Sequence, residues 1–250
     1  MIRVAAVGDI HVNASNRGRL RPHLEGLGRR ADLLLLAGDL TCLGTTAEAE
    51  VVADELRPAV DEVPVLAVLG NHDHHSDEQV AVAGVLGRAG VRVLEGDAET
   101  VDCAAGVRVG VAGGKGFGGG FVGVSASEFG EVEFKAFARH GREAGERLRG
   151  ALQAMAAADA RLVVLHYAPI AGTLEGERPE LHAFLGSHFL GDAVDEVGAD
   201  LVVHGHAHAG CETGSTPAGV AVRNVAQPVL GRPLAIYGVE PGRRSVTTLA

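Results

Sequence analysis

Five short apolar runs in this chain each stop at a polar signature, and that pattern constrains the fold more than any other feature. VAAVG runs into Asp9 and His11, LLLLAG into Asp39, and VPVLAVLG into Asn71, His72, Asp73, His74 and His75. LVVLH stops at His166, and LVVHG continues to His206 and His208. Continuous Val, Leu and Ala without alternation is the pattern of a strand buried on both faces, which needs helices or a second sheet to cover it.

The segments between the runs supply those covers. TTAEAEVVADELRPAV (45–60) places Ala49, Val52, Ala53 and Leu56 on one helical face. Residues 76–89 align Val82, Val85, Leu86 and Ala89, and residues 141–160 align Leu148, Ala151, Leu152 and Met155. A further helix is expected near 189–197. VRVLEGD (91–97) reads as a short strand, and residues 99–114 read as a hairpin turning at Ala105–Gly106. Strands at 220–226, 233–240 and 245–249 read as an antiparallel meander whose edge would suit a homodimer. The class is α/β. No repeat, heptad or linker divides the chain, so residues 1–250 read as a single domain. Two stretches without periodicity, 115–140 and 168–190, read as rim or lid loops.

Charge and cysteine content narrow the function. The net charge is −10, the lysines are Lys115 and Lys135 alone, and no basic cluster offsets the acid. A long nucleic acid is therefore not expected as a partner, whereas a small anion met by a local cation is. The three cysteines, Cys42, Cys103 and Cys211, are odd in number and form no CxxC, which points to a reducing, cytoplasmic setting. No apolar stretch approaches the roughly 20 residues of a membrane span.

In an open α/β sheet, ligands bind beyond the carboxyl ends of the strands, so the five signatures would converge on one crevice. Imidazole with carboxylate suits Mn, Fe or Zn. Asp9, His11, Asp39, Asn71, His166, His206 and His208 give seven candidate ligands. One ion would leave several idle; two ions sharing a carboxylate would use them all. Asp9 and His11 are two apart at a strand end, as are His206 and His208, so each pair can share a face, although a loop at the second pair could aim its two rings at different ions.

These blocks, D-x-H, G-D, G-N-H-D, H and G-H-x-H in order from residue 9 to residue 208, resemble those of the calcineurin-like metallophosphoesterase superfamily. The resemblance implies a two-sheet sandwich flanked by helices on both outer faces, a four-layer αββα arrangement. It implies two divalent metal ions, Mn foremost, with Fe, Zn or Ni as alternatives. Asp9, His11 and His208 would bind the first ion, Asn71, His166 and His206 the second, and Asp39 would bridge them. His72 would act on the substrate as a general acid or phosphate-oxygen donor, oriented by Asp73. The implied activity is hydrolysis of a small phosphodiester or phosphomonoester by in-line attack of a metal-bridging hydroxide. The alternatives are a binding or scaffold protein that has lost the chemistry, and a nuclease of the same superfamily. Cys42 departs from a common variant that carries an acidic or aromatic residue at that position, and is expected as a small thiol packed under the site.

Other features are set aside. GGKGFGG (113–119) contains a formal G-x-G-x-x-G, but more glycine follows where a dinucleotide site needs a helix. Lys115 is expected in solvent. His204 is expected in the core, and His23 and His140 at the surface. His74, His75, His182, His188, Glu175, Glu177 and Arg178 are candidates for the substrate rim.

Overall fold

Leu33–Ala37 is buried at every position, so this strand has no face for water and must lie inside a layered structure. The computed structural model describes residues 1–103, 106–242 and 246–250. In chain order the elements are β1 (Ile2–Val7), α1 (Arg21–Leu24), β2 (Leu33–Ala37), α2 (Thr46–Val60), β3 (Val65–Val68), α3 (Gln79–Arg88) and β4 (Arg92–Val93). Then come β5 (Asp97–Asp102), β6 (Arg108–Gly114), β7 (Gly120–Phe121), β8 (Val124–Ser125), α4 (Val132–Ala154), β9 (Ala160–Leu165), α5 (His182–Leu185) and α6 (His188–Val197). The chain closes with β10 (Leu201–His204), β11 (Thr213–Ser215), β12 (Ala221–Asn224), α7 (Gln227–Leu230), β13 (Ala235–Val239) and β14 (Val246–Thr248).

Two six-stranded sheets form, ordered β14-β13-β1-β2-β3-β4 and β11-β12-β10-β9-β6-β5. The strands β1 to β4 run parallel, as do β6, β9, β10 and β12; antiparallel pairing adds β13 and β14 at one edge of the first sheet and β11 and β5 at the two edges of the second. Period-two alternation then builds the layers. Val4, Ala6, Leu33 and Leu35 point between the sheets, against Leu162 and Val164. Ala5, Val7, Leu34 and Leu36 point outward onto Val52 and Leu56 of α2 and Leu86 of α3. On the far side Val163 and Leu165 meet Leu148 and Leu152 of α4 and Leu190 of α6. The result is the four-layer αββα sandwich. Among the described residues, no helix is long and apolar enough to cross a membrane.

The local expectations differ in four places. Helix α4 starts at Val132, not near 141, and ends at Ala154, so the irregular rim is shorter than 115–140. Its first turns expose Val132 and Phe134, which hides the apolar stripe from a periodicity reading. The glycine-rich stretch also contains the small β7–β8 hairpin. The expected terminal meander does not form. Helix α7, with Pro228 in its first turn, carries the chain between sheets, so β12 pairs with β10 in one and β13 with β1 in the other. Only β13 and β14 are consecutive antiparallel partners there. Of residues 91–97, only Arg92–Val93 pair as β4, and Asp97 opens β5. Ala105 of the expected hairpin turn and Ser245 of the expected last strand lie outside the described residues.

Candidate metal centre

The five signatures occupy the carboxyl ends of β1, β2, β3, β9 and β10, three from one sheet and two from the other. The chain must turn sharply at each, and the backbone records it. The described non-glycine residues with positive φ are Asp9 (56°), His11 (43°), Asp39 (50°), Asp77 (57°) and His206 (69°). Four of these five are candidate ligands. Left-handed backbone costs about 1–3 kcal/mol per residue and concentrates at functional sites. The flanking glycines follow from close approach. A side chain at Gly70 would collide with the Asp39 carboxylate, and one at Gly205 with that of Asp9.

The side chains draw into three overlapping groups, Asp9–His11–His208, His11–Asp39–His72 and Asp39–His166–His206, with ligand atoms in each within 4.8 Å of one another. The His208 Nε2 lies 2.8 Å from Asp9 Oδ1. The His166 Nε2 lies 2.8 Å from Asn71 Oδ1 and 3.3 Å from Asp39 Oδ1. The Nε2 atoms of His11 and His72 each lie 4.0 Å from Asp39 Oδ2. All seven candidate ligands and His72 are therefore brought to one place.

Backbone carbonyls fix the rings from behind. The His166 Nδ1 is 2.9 Å from the Ala37 carbonyl, the His72 Nδ1 2.8 Å from that of Cys42, and the His206 Nε2 3.2 Å from that of Phe184. Such outer contacts set the tautomer and aim the other nitrogen. Asp73 does not orient His72 as expected. It is fully buried and its carboxylate accepts from the amides of Leu40, Thr41 and Gly70 and from the Thr41 hydroxyl at 2.6 Å. It locks the loop after β2 to the loop after β3. Thr41, Cys42 and Phe184 are the positioning groups that the sequence reading missed. A backbone acceptor leaves no mark on residue type.

Burial sets the charge states. It pushes the Asp39 carboxyl above its ordinary value, His166 pulls it down, and the nearby Asp9 and Asp73 add to the rise. Burial also raises Asp9, but the hydrogen bond from His208 and the facing His166 outweigh it and hold that carboxyl below its usual range. Burial pushes His206 down to about 3 and lowers His11. The neutral rings of His206 and His11 beside buried carboxylates make a donor set that fits a hard or borderline divalent cation, which neutralises the carboxylates and uses the free nitrogen lone pairs.

The remaining candidates separate. His204 is fully buried, with Nε2 2.8 Å from the Thr173 hydroxyl, so it belongs to the core as expected. His74 is half-buried beside the centre and its Nε2 has no hydrogen-bond partner; His75 and His140 are exposed. His188 pairs with Asp192 at 2.8 Å, and neither it nor His182 joins the metal-type groups. Glu177 caps the Ala209 amide at 2.7 Å beside His208. Lys115 is not the solvated lysine expected. It is half-buried, its Nζ 5.3 Å over the Phe117 ring and 5.4 Å over that of Tyr167, and burial lowers its pKa.

The model of the calcineurin-like phosphoesterase family matches residues 2–210. Among solved structures, phosphopantetheinyl hydrolase from Mycobacterium tuberculosis is similar at a TM-score of 0.63 and 16% identity, over 98% of this chain and 95% of that one. The NAD nucleotidase of Haemophilus influenzae is similar at a TM-score of 0.56 and 12% identity, over 100% of this chain and 49% of that one. At these identities the likeness is one of fold. No curated protein matches the chain.

Proposed function

The chain belongs to the calcineurin-like phosphoesterase family, and on that premise we propose that it is a dinuclear-metal-dependent phosphohydrolase of small phosphate esters. The observation that carries this reading is the position of Asp39. It is shared by two of the Asp/His groups, with His166 on one side and His11 on the other. One carboxylate facing two sets of imidazoles is the arrangement that two ions sharing a ligand require. Asp9, His11 and His208 would hold one ion, Asn71, His166 and His206 the other, and Asp39 both. Two divalent ions held by these residues would supply water activation and charge neutralisation at the phosphoryl oxygens.

The chain's own residues supply the rest. With Nδ1–H donated to the Cys42 carbonyl, His72 keeps Nε2 free, and its side chain is 45% exposed at the mouth. As water oxygen adds to phosphorus and the ester P–O bond breaks, His72 carrying a second proton on Nε2 passes it to the departing oxygen and keeps Nδ1–H on the Cys42 carbonyl; the proton lost by the attacking water restores Nε2–H for the next turnover. The buried Asp73 clamp holds the His72 segment against the Asp39 loop. A small diester is the preferred substrate class, and manganese the preferred ion. Residues 1–250 act as one domain, in the cytoplasm.

Two other readings carry less. A scaffold that has lost the chemistry would break the ligand blocks, and here every block is intact. A nuclease conflicts with a net charge of −10. The deciding experiment is to count bound metal in protein purified without chelator and to compare p-nitrophenyl phosphate with bis-p-nitrophenyl phosphate in Mn²⁺. Near two ions per chain with turnover is the expected result. No metal and no turnover after Mn²⁺ loading would leave the scaffold.

A further inference from the structure

The chain has seven phenylalanines and no tryptophan, and every phenylalanine lies between residues 117 and 189. The core is built mainly from Val, Leu and Ala; Phe117 and Phe121 pack against its edge, and no phenylalanine is fully buried in it. Four of the others, Phe129, Phe134, Phe137 and Phe184, gather on the rim. Phe129 is 85% exposed, Phe134 64% and Phe184 60%. With Phe137 they wall a cleft of about 530 Å³ between the β7–β8 hairpin, the start of α4, and α5. Exposed rings in this number cost solvation and mark a place where an apolar group is received.

Continuity says what that group is. The Phe184 ring lines the cleft, and the carbonyl of the same residue holds His206 Nε2 at 3.2 Å. Phe184 therefore borders the cleft with one part and touches a candidate ligand with another. The rings also connect, Phe184 to Phe137 at 6.1 Å, Phe137 to Phe117 at 5.2 Å, Phe117 to Tyr167 at 5.9 Å, and Tyr167 to His206 at 4.4 Å. Among the residues lining the cleft, the only charged one is Glu133. No cation there would receive a second phosphate, and Glu133 would repel one.

Resting on the phosphohydrolase reading, we propose that this cleft is the subsite for an uncharged apolar group, aromatic or alkyl, joined by a short tether to the phosphate held at the metal centre. The substrates are then amphiphilic phosphate esters rather than polyphosphates or sugar phosphates.

Calorimetry with non-hydrolysable phosphonates tests this without needing turnover. Mn²⁺-loaded protein is titrated with methylphosphonate and with 4-phenylbutylphosphonate, and the ratio of their Kd values is the readout. A ring entering the cleft should tighten binding by about tenfold or more. Phe129→Ser with Phe134→Ser should pull the ratio towards one; both rings are exposed, so the fold does not depend on them. Equal Kd values, or a ratio that the two substitutions leave unchanged, would overturn the subsite while methylphosphonate binding still supported the phosphate site. Failure of both phosphonates to bind would overturn the phosphohydrolase reading and the subsite with it. A concentration-dependent dimer in sedimentation that Phe129→Ser dissolves would assign the face to a second copy and overturn it too.

Discussion

At residue scale, His72 and Cys42 separate what a side chain does from what its backbone does. His72 joins the His11–Asp39 group, yet its Nε2 is held 4.0 Å from the Asp39 oxygen and stays partly open to solvent. His72→Ala should keep near-parent metal content, measured by atomic absorption, while kcat falls by about 10²–10⁴-fold. Loss of the metals with the ring would make it a ligand instead. Cys42 is the opposite case. Its contribution to the centre is a carbonyl 2.8 Å from His72 Nδ1, and Cys42→Ala keeps that carbonyl. The variant should turn over within about twofold of the parent, as for a substitution that leaves every polar contact in place. A loss on the scale of the His72 variant would mean that the thiol itself touches the ions or the substrate.

At element scale, the sequence told most where chemistry and strand coincided. The ends of β1, β2, β3, β9 and β10 were legible because an unbroken apolar run ending in Asp, Asn or His, with a glycine beside it in all but β9, has few other meanings. Elements without such an end were harder. Helix α4 hid its start because its first turns face the rim cleft rather than the core, and β12 and β13 looked like neighbours because alternation within a strand carries no information about which sheet it joins. The pairing of β1 with β2 also carries a testable charge contact. Arg3 donates to Asp32 from its amide at 2.7 Å and from its guanidinium at 2.6 Å. Burial pushes the Asp32 carboxyl up, but the Arg3 bonds outweigh it and hold it below its ordinary value. A depressed folded value means the contact stabilises fully above the unfolded Asp value of about 4 and is lost as pH falls through the folded one. Because the Arg3 side chain is still 31% exposed, screening limits the contribution to about 1 kcal/mol or less. Asp32→Asn should therefore be less stable in urea unfolding at pH 7, with the gap narrowing as pH falls below about 4. An unchanged gap at pH 3 would show that the loss came from packing.

At the scale of the whole molecule, the candidate centre is the place where two sheets, each stable in its own layer, meet at strained ends. Asp9 and Asp39 bring two carboxylates under the same roof, and His206, His11 and both aspartates hold left-handed backbone to do it. The raised Asp39 carboxyl and the left-handed turns oppose folding when no cation is bound. Bound metal should then be a large share of the net stability, since any ligand of the folded state alone stabilises it by mass action. Protein stripped with chelator and then given Mn²⁺ at about a hundred times its Kd should gain about 2.7 kcal/mol, or about 5–10 °C in melting temperature for a chain this long. Asp39→Asn preserves shape and the acceptor for the His72 amide, 2.8 Å away in the parent, while removing the charge that burial disfavours. It should melt no lower than the stripped parent and lose most of the Mn²⁺ shift, because strain and buried charge retained for function are paid for in stability. If the stripped variant instead melts far below the stripped parent, Asp39 is holding the sheets together by itself, and the argument that its place in the crevice exists for a metal fails.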